Sequence, residues 1–72
     1  MKITLYIMNE LKIDIGVNPK QTIIETLNIL EDNNFCNIPE VTYSRIQRTN
    51  KLISILSTYE ESNILEGDII TI

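Results

Sequence analysis

Two stretches of strict period-two alternation, separated by a polar pair, open the chain and constrain its fold more than anything after them. From Lys2 to Met8, Ile3, Leu5 and Ile7 fall on one face and Lys2, Thr4 and Tyr6 on the other. From Leu11 to Val17, Leu11, Ile13, Ile15 and Val17 alternate with Lys12, Asp14 and Gly16. A period of two belongs to a half-buried strand, and two such segments joined by a short polar turn, here Asn9-Glu10, make a β-hairpin. Pro19 has no N–H to offer a ladder and ends it. A lone hairpin is marginal in water, so its apolar face must be covered by a later part of the chain.

The cover is a helix. Thr22-Ile23-Ile24-Glu25 is a capping box: the Thr22 hydroxyl can accept from the Glu25 amide while the Glu25 carboxylate reaches back to the Thr22 amide. Ile23, Leu27 and Leu30 then stand at i, i+4 and i+7, a stripe to lay across the sheet, with Ile24 and Ile29 off the stripe as a second apolar patch. Asn33-Asn34 predicts the helix stop, because Asn tolerates the left-handed conformation. Phe35 to Glu40 is a loop, with Phe35 and Ile38 expected to tuck under the domain's lower edge.

The third strand, Val41 to Gln47, admits two registers: Thr42, Ser44 and Ile46 inward, or Val41, Tyr43 and Arg45 inward. Ile46 and the cost of burying Arg45 favour the first. Thr49-Asn50 turns the chain into a short strand around Leu52-Ile53. A long loop from Ser54 to Glu66 is expected to hold one helical turn near Thr58-Tyr59-Glu60, with Ile64 as its core anchor. Gly67 supplies a tight turn before a last strand, Asp68 to Ile72, that pairs parallel with the first. The prediction is a single α+β domain over 1–72. Its mixed sheet has four to five strands in ββαββ order, with one helix packed across one face.

Composition narrows the function classes. Seventy-two residues hold one small core. No apolar run reaches the length of a membrane span, and Met1-Lys2 leads straight into a strand where a signal peptide would need an apolar run. Cys36 is the one cysteine, so no internal disulfide forms and a reducing cytoplasm is the expected setting. A net charge of −4 disfavours nonspecific nucleic-acid binding. The expectation is a cytoplasmic protein, a monomer or weak homodimer, without nucleic-acid partner or membrane insertion.

Catalytic readings find little to stand on. The sequence has no His to activate Cys36, and Asn33, Asn34 and Asn37 around it carry no charge. Glu60, Glu61, Glu66 and Asp68 gather late in the chain without the spacing of a calcium loop and read as solvated charge, with Asp68 capping the Gly67 turn. Gly16 and Gly67 are the only glycines, which leaves no phosphate-cradling loop. No enzyme activity, cofactor or metal is expected. The sheet's outer face offers more: the alternation sends Tyr6, Lys12, Tyr43, Arg45, Ile69 and Thr71 away from the helix. Tyr and Arg are enriched at interface hot spots because they join large apolar area to directional hydrogen bonds. Lys2, Lys12, Arg45, Arg48 and Lys51 also fall on strands or their turns, while the acids lie mainly around the helix and the late loop.

The order of elements resembles the ubiquitin-like β-grasp family over the whole chain, most specifically in Val17-Asn18-Pro19-Lys20-Gln21-Thr22-Ile23 and in Tyr59 to Ile72. It is most similar to the small bacterial YukD/EsaB-like proteins. Their second half runs through a basic turn, a leucine-type strand, a loop and Ile-x-x-Gly-Asp before a last apolar strand, here Arg45 to Lys51, Leu52-Ile53, Ile64-Leu65-Glu66-Gly67-Asp68 and Ile69 to Ile72. That resemblance implies an accessory or regulatory role in type VII secretion in a Gram-positive bacterium, through a cytosolic domain of a membrane component. No catalytic residue carries over. The sequence ends at Ile72 on a core-type residue without Gly-Gly, which predicts a binding module in place of a carrier whose glycine carboxylate is adenylated. A generic β-grasp interaction module, or a sulfur-carrier or conjugation protein lacking its Gly-Gly, are the alternatives.

Overall fold

The opening alternation folds as a hairpin in the computed structural model, which describes residues 1–72. β1 (Lys2–Ile7) pairs antiparallel with β2 (Leu11–Gly16), Lys2 opposite Gly16 and Ile7 opposite Leu11. The turn sits one residue earlier than Asn9-Glu10: Met8 and Asn9 take φ of 53° and 56°, and the Glu10 N–H donates to the Ile7 carbonyl at 3.1 Å. Two positive φ values in succession mark a type I′ turn, whose twist matches the strands it joins. Asn9 suits that geometry and Met8 does not; Met8 is held by its N–H, which donates to the Ile72 carbonyl at 3.0 Å.

α1 (Ile23–Asp32) begins and ends largely as its residues dictate. The Thr22 hydroxyl accepts from the Glu25 amide at 3.3 Å, but the expected return bond from the Glu25 carboxylate is not made. The first helical amides are instead met from outside, Ile23 donating to Ser57 and Ile24 to Ile55 at 3.2 and 2.9 Å. At the far end Asn34 adopts φ 58°, with its N–H on Glu31 and that of Phe35 on Leu30, both at 3.0 Å. This paired closure is a Schellman motif. It fixes Phe35 in the cap and turns its ring outward, 65% exposed, so only Ile38 of the expected pair packs against the core.

The second half builds the rest of the sheet. β3 (Tyr43–Ile46) is shorter than Val41 to Gln47 and takes the favoured register: Ser44 and Ile46 are buried, while Thr42 lies outside the strand and is exposed. β4 (Lys51–Ser54) pairs antiparallel with it, and β5 (Ile69–Thr71) runs parallel to β1 and antiparallel to β3. The five strands lie in the order β2-β1-β5-β3-β4. Ile3, Leu5, Ile7, Ile46 and Ile70 from the sheet meet Ile23, Leu27 and Leu30 from the helix. β2 is an edge strand, so its inward Ile13 and Ile15 are only half-buried and Leu11 is exposed. No helix is long and apolar enough to cross a membrane.

The loop after β4 carries a helical turn with a complete capping box. The Glu61 amide donates to the Thr58 hydroxyl at 3.0 Å, and the Thr58 amide donates to the Glu61 carboxylate at 2.9 Å. These bonds hold the Glu61 carboxyl below its ordinary value. Asn63, at φ 58°, ends the turn and delivers Ile64 to the core, as expected. Tyr59 is fully buried, and its hydroxyl donates to Thr26 Oγ1 at 2.7 Å, the one side-chain bond that ties this loop to α1 through the interior.

Two substitutions separate satisfied from unsatisfied interior polar groups. Tyr59→Phe strands the buried Thr26 hydroxyl and is expected to cost about 1–2 kcal/mol in urea unfolding. The Ser44 hydroxyl is buried with no partner in the protein, so Ser44→Ala is expected to stabilise by about 1 kcal/mol.

Candidate protein-binding face

The face of the sheet away from α1 is assembled from all five strands. Register places Lys12 opposite Tyr6, Tyr6 beside Thr71, Thr71 opposite Arg45 and Arg45 opposite Leu52. These five side chains form one continuous row, because opposed residues share a face. Ile69 lies next to it on β5, beside Thr4, and Tyr43 lies beyond it on β3, opposite Ser54. All five residues singled out from the sequence as candidate contacts (Tyr6, Lys12, Tyr43, Arg45 and Ile69) therefore share one surface.

Neighbouring groups orient the polar ends of the row. Lys12 Nζ stands 5.4 Å from the centre of the Tyr6 ring, within range of a cation–π contact, and the Tyr6 hydroxyl donates to the Asn9 carbonyl at 3.1 Å. Arg45 Nη1 donates to both the carbonyl and the side-chain oxygen of Asn50, at 2.8 and 3.0 Å. Asn50 can present both because it sits at φ 58° in the β3–β4 turn. Between these fixed groups lies a depression of about 320 Å³ walled by Tyr6, Asn9, Lys12, Gln47, Ile69 and Thr71. Lys12 is its one charged wall. Tyr43 and Leu52, 58% and 55% exposed, supply apolar area at the β3–β4 end. The surface thus combines bound cations with exposed aromatic and aliphatic groups.

Leu52 and Gln47 were not among the sequence candidates. Leu52 shows its parity only once Ile53 is known to point inward, and Gln47 enters because its N–H donates to the Ile69 carbonyl at 2.9 Å, carrying β3 past its last paired residue.

Arg48 belongs elsewhere. Its Nε and Nη2 donate to the two oxygens of Asp68 at 2.8 and 3.0 Å, a bidentate pair that locks the β3–β4 turn to the start of β5. Asp68 also accepts from the Leu65 amide at 2.8 Å, and Gly67 takes φ 83° in the turn from Leu65 to Asp68, closed by the Asp68 N–H on the Leu65 carbonyl at 3.0 Å. These are the features of a type II turn, with glycine where φ must be positive. The Glu66 carboxylate accepts from the Lys2 amide. Three of the four late acids thus accept structural hydrogen bonds, while Glu60, Glu61 and Glu66 stay exposed to solvent as expected. Asp68 caps its turn as expected. Cys36 is half-exposed, and burial followed by the nearby Glu31 charge pushes its thiol up, the opposite of an activated thiolate.

No family model and no curated protein matches the sequence. Solved structures do match over nearly the whole chain. A protein designed de novo on the basis of ubiquitin superposes with a TM-score of 0.72 at 19% identity, covering 99% of this chain and 83% of that one. A ubiquitin-like protein from the hyperthermophilic archaeon Caldiarchaeum subterraneum gives a TM-score of 0.52 at 16% identity, covering 99% and 91%. The fold is ubiquitin-like.

In this ubiquitin-like frame the Arg48–Asp68 pair sets the acid response. Hydrogen bonds from Arg48, opposed by burial and reinforced by the Leu65 amide, hold the Asp68 carboxyl below its ordinary 3.8. A depressed carboxyl adds stability that is complete above its unfolded value and is lost as pH falls through the folded value. Stability is expected to decline below about pH 4, and Asp68→Asn to flatten that decline while lowering stability at neutral pH. Urea unfolding across the acid range reads both effects.

Proposed function

We propose that this chain is a non-enzymatic protein-binding module that acts through the outer face of its sheet, as an accessory component of a bacterial type VII secretion system. The observation that carries the reading is the row Lys12–Tyr6–Thr71–Arg45–Leu52, which crosses every strand and sets cationic, aromatic and aliphatic groups side by side. A protein surface uses such a combination at a hot spot, where Tyr and Arg are enriched and flanking apolar contacts exclude water. The ubiquitin-like fold and the YukD/EsaB-like order of the second half support the secretion assignment. The basic turn, the Leu52-Ile53 strand and Ile64-x-x-Gly67-Asp68 follow one another along the sequence in the order of that resemblance. The partner is a cytosolic domain of a membrane component of the machine, presenting acidic side chains beside an apolar one to meet Lys12, Arg45 and Tyr43.

Amide NMR titration of the labelled protein with soluble cytosolic domains of the type VII membrane components tests this. Shifts concentrated on Tyr6, Lys12, Tyr43, Arg45 and Ile69 are expected. Tyr43→Ala and Arg45→Ala should each weaken binding by roughly tenfold or more while leaving the amide spectrum folded, the behaviour of hot-spot truncation. Undiminished binding by both variants rules out this face.

A further inference from the structure

A second surface, on the helix side of the sheet, has the opposite chemistry. Between α1 and the segment leading into β3 runs a groove of about 460 Å³, larger than the outer-face depression. Half-buried Ile24, Ile38 and Val41 and buried Ile55 give it an apolar floor, and the carboxylates of Glu31 and Glu40 stand on its rim with no cation among its walls. Thr42 and Ile55 also wall a neighbouring recess of about 240 Å³ that wraps the edge of the sheet, where Leu56 meets the outward-facing pair Tyr43 and Ser54. The two hollows share residues and form one track, acidic at the helix and apolar at the β4 end. Leu56, at 73% exposed, is the most exposed large aliphatic side chain of the protein.

The local structure keeps the track open. The Ile38 N–H donates to Glu31 at 3.1 Å, pinning the segment after α1 to the helix flank, and the Ile24 N–H donates to the Ile55 carbonyl at 2.9 Å, pinning the opposite wall. Both walls are thereby fixed by bonds that leave the floor uncovered. The Arg45 and Arg48 guanidiniums are engaged by Asn50 and Asp68, so neither turns to neutralise the rim.

We infer that this track is a second docking site, and that it takes a short segment of another protein bearing a lysine or arginine and, a few residues along, a large aliphatic side chain. Charge complementarity selects the occupant. A basic side chain lays its apolar stem on Ile24 and Ile38 while its head meets Glu31 and Glu40, and the aliphatic residue covers Leu56 beside Tyr43. An acidic segment of the kind suited to the outer face is repelled here. The protein then holds two partners of opposite charge at two sites that meet at Tyr43.

Peptide selection tests this without presupposing a sequence: a random displayed-peptide library is panned on the immobilised protein, and each enriched peptide is mapped by amide NMR. Enriched peptides that carry a basic residue near an aliphatic one and shift Ile24, Asn28, Glu40, Thr42 and Leu56 are the expected result. The double variant Glu31→Gln, Glu40→Gln keeps side-chain shape and the acceptor for Ile38, and should weaken such peptides on the order of fivefold, the effect of two exposed charge pairs. Peptides that map only to Tyr6, Lys12 and Ile69 overturn the second site while leaving the outer-face reading standing. Groove binders indifferent to the double variant overturn the charge selection. An absence of groove binders among the enriched peptides overturns the site.

Discussion

Three residues, Ile69–Thr71, hold this molecule together. Within the sheet the N-terminal hairpin and the β3–β4 hairpin pair only internally; each joins the other's ladder through β5, parallel to β1 on one side and antiparallel to β3 on the other. Ile70, fully buried, is the point where the cores of the two halves meet. The central strand of the sheet is thus the last of the five to be synthesised and the most distant in sequence from its parallel neighbour. Such long-range closure is entropically costly and slows folding relative to local pairing. The start of β5 is correspondingly over-determined. The Gly67 N–H donates to the Lys2 carbonyl at 2.7 Å, the Thr4 N–H to the Asp68 carbonyl at 3.0 Å, and Arg48 grips the Asp68 side chain. Its end is tied as firmly, by Ile72 to Tyr6 and Met8 to Ile72.

The candidate face inherits this dependence. Thr71 is the middle member of the row that runs from Lys12 to Leu52, and Ile69 floors the depression beside it. With β5 unseated, Tyr6 and Arg45 belong to two hairpins that share no ladder, and the continuous row is lost. A candidate face made by the final closure step is present only in the native state, and mutations that loosen Arg48 or Asp68 act on it without touching it.

How much a sequence discloses depends on the range of the interactions. Period-two alternation in β1 and β2, the stripe Ile23, Leu27 and Leu30, and the glycine turn before β5 are local rules, and the structure obeys them. The outer-face residues were legible for the same reason, since parity within a strand decides which side a residue takes. The reciprocal capping box of Thr58 and Glu61 is equally local, a Thr-x-x-Glu pattern at the helical turn expected near Thr58-Tyr59-Glu60. Arg48 and Asp68, by contrast, lie twenty positions apart, and only the docking of β5 against the β3–β4 turn makes them partners. The burial of Tyr59 and its bond to Thr26 likewise depend on how a loop lies over α1. The exposure of Phe35 results from a cap that closes on its backbone. The Met8-Asn9 turn shows twist overriding residue preference: a type I′ geometry is imposed by the strands even where Met must take a positive φ.

The two surfaces raise the question of why copies of the chain should not simply dock on one another, basic face to acidic groove. Such a contact is heterologous and does not close, so it would propagate into filaments. The distribution of charge opposes it. Of the cations near the outer face, Arg48 is already paired with Asp68, and Arg45 is turned onto Asn50 within its own turn. Lys12, drawn over the Tyr6 ring, is left as the sole charged wall of the depression. Against the cations that stay unneutralised, Lys12 and Arg45 among them, stands the mutual repulsion of two molecules that each carry −4. The Arg48–Asp68 pair therefore does two things at once: it locks the β3–β4 turn to the start of β5, and it neutralises one of the cations that another copy would meet.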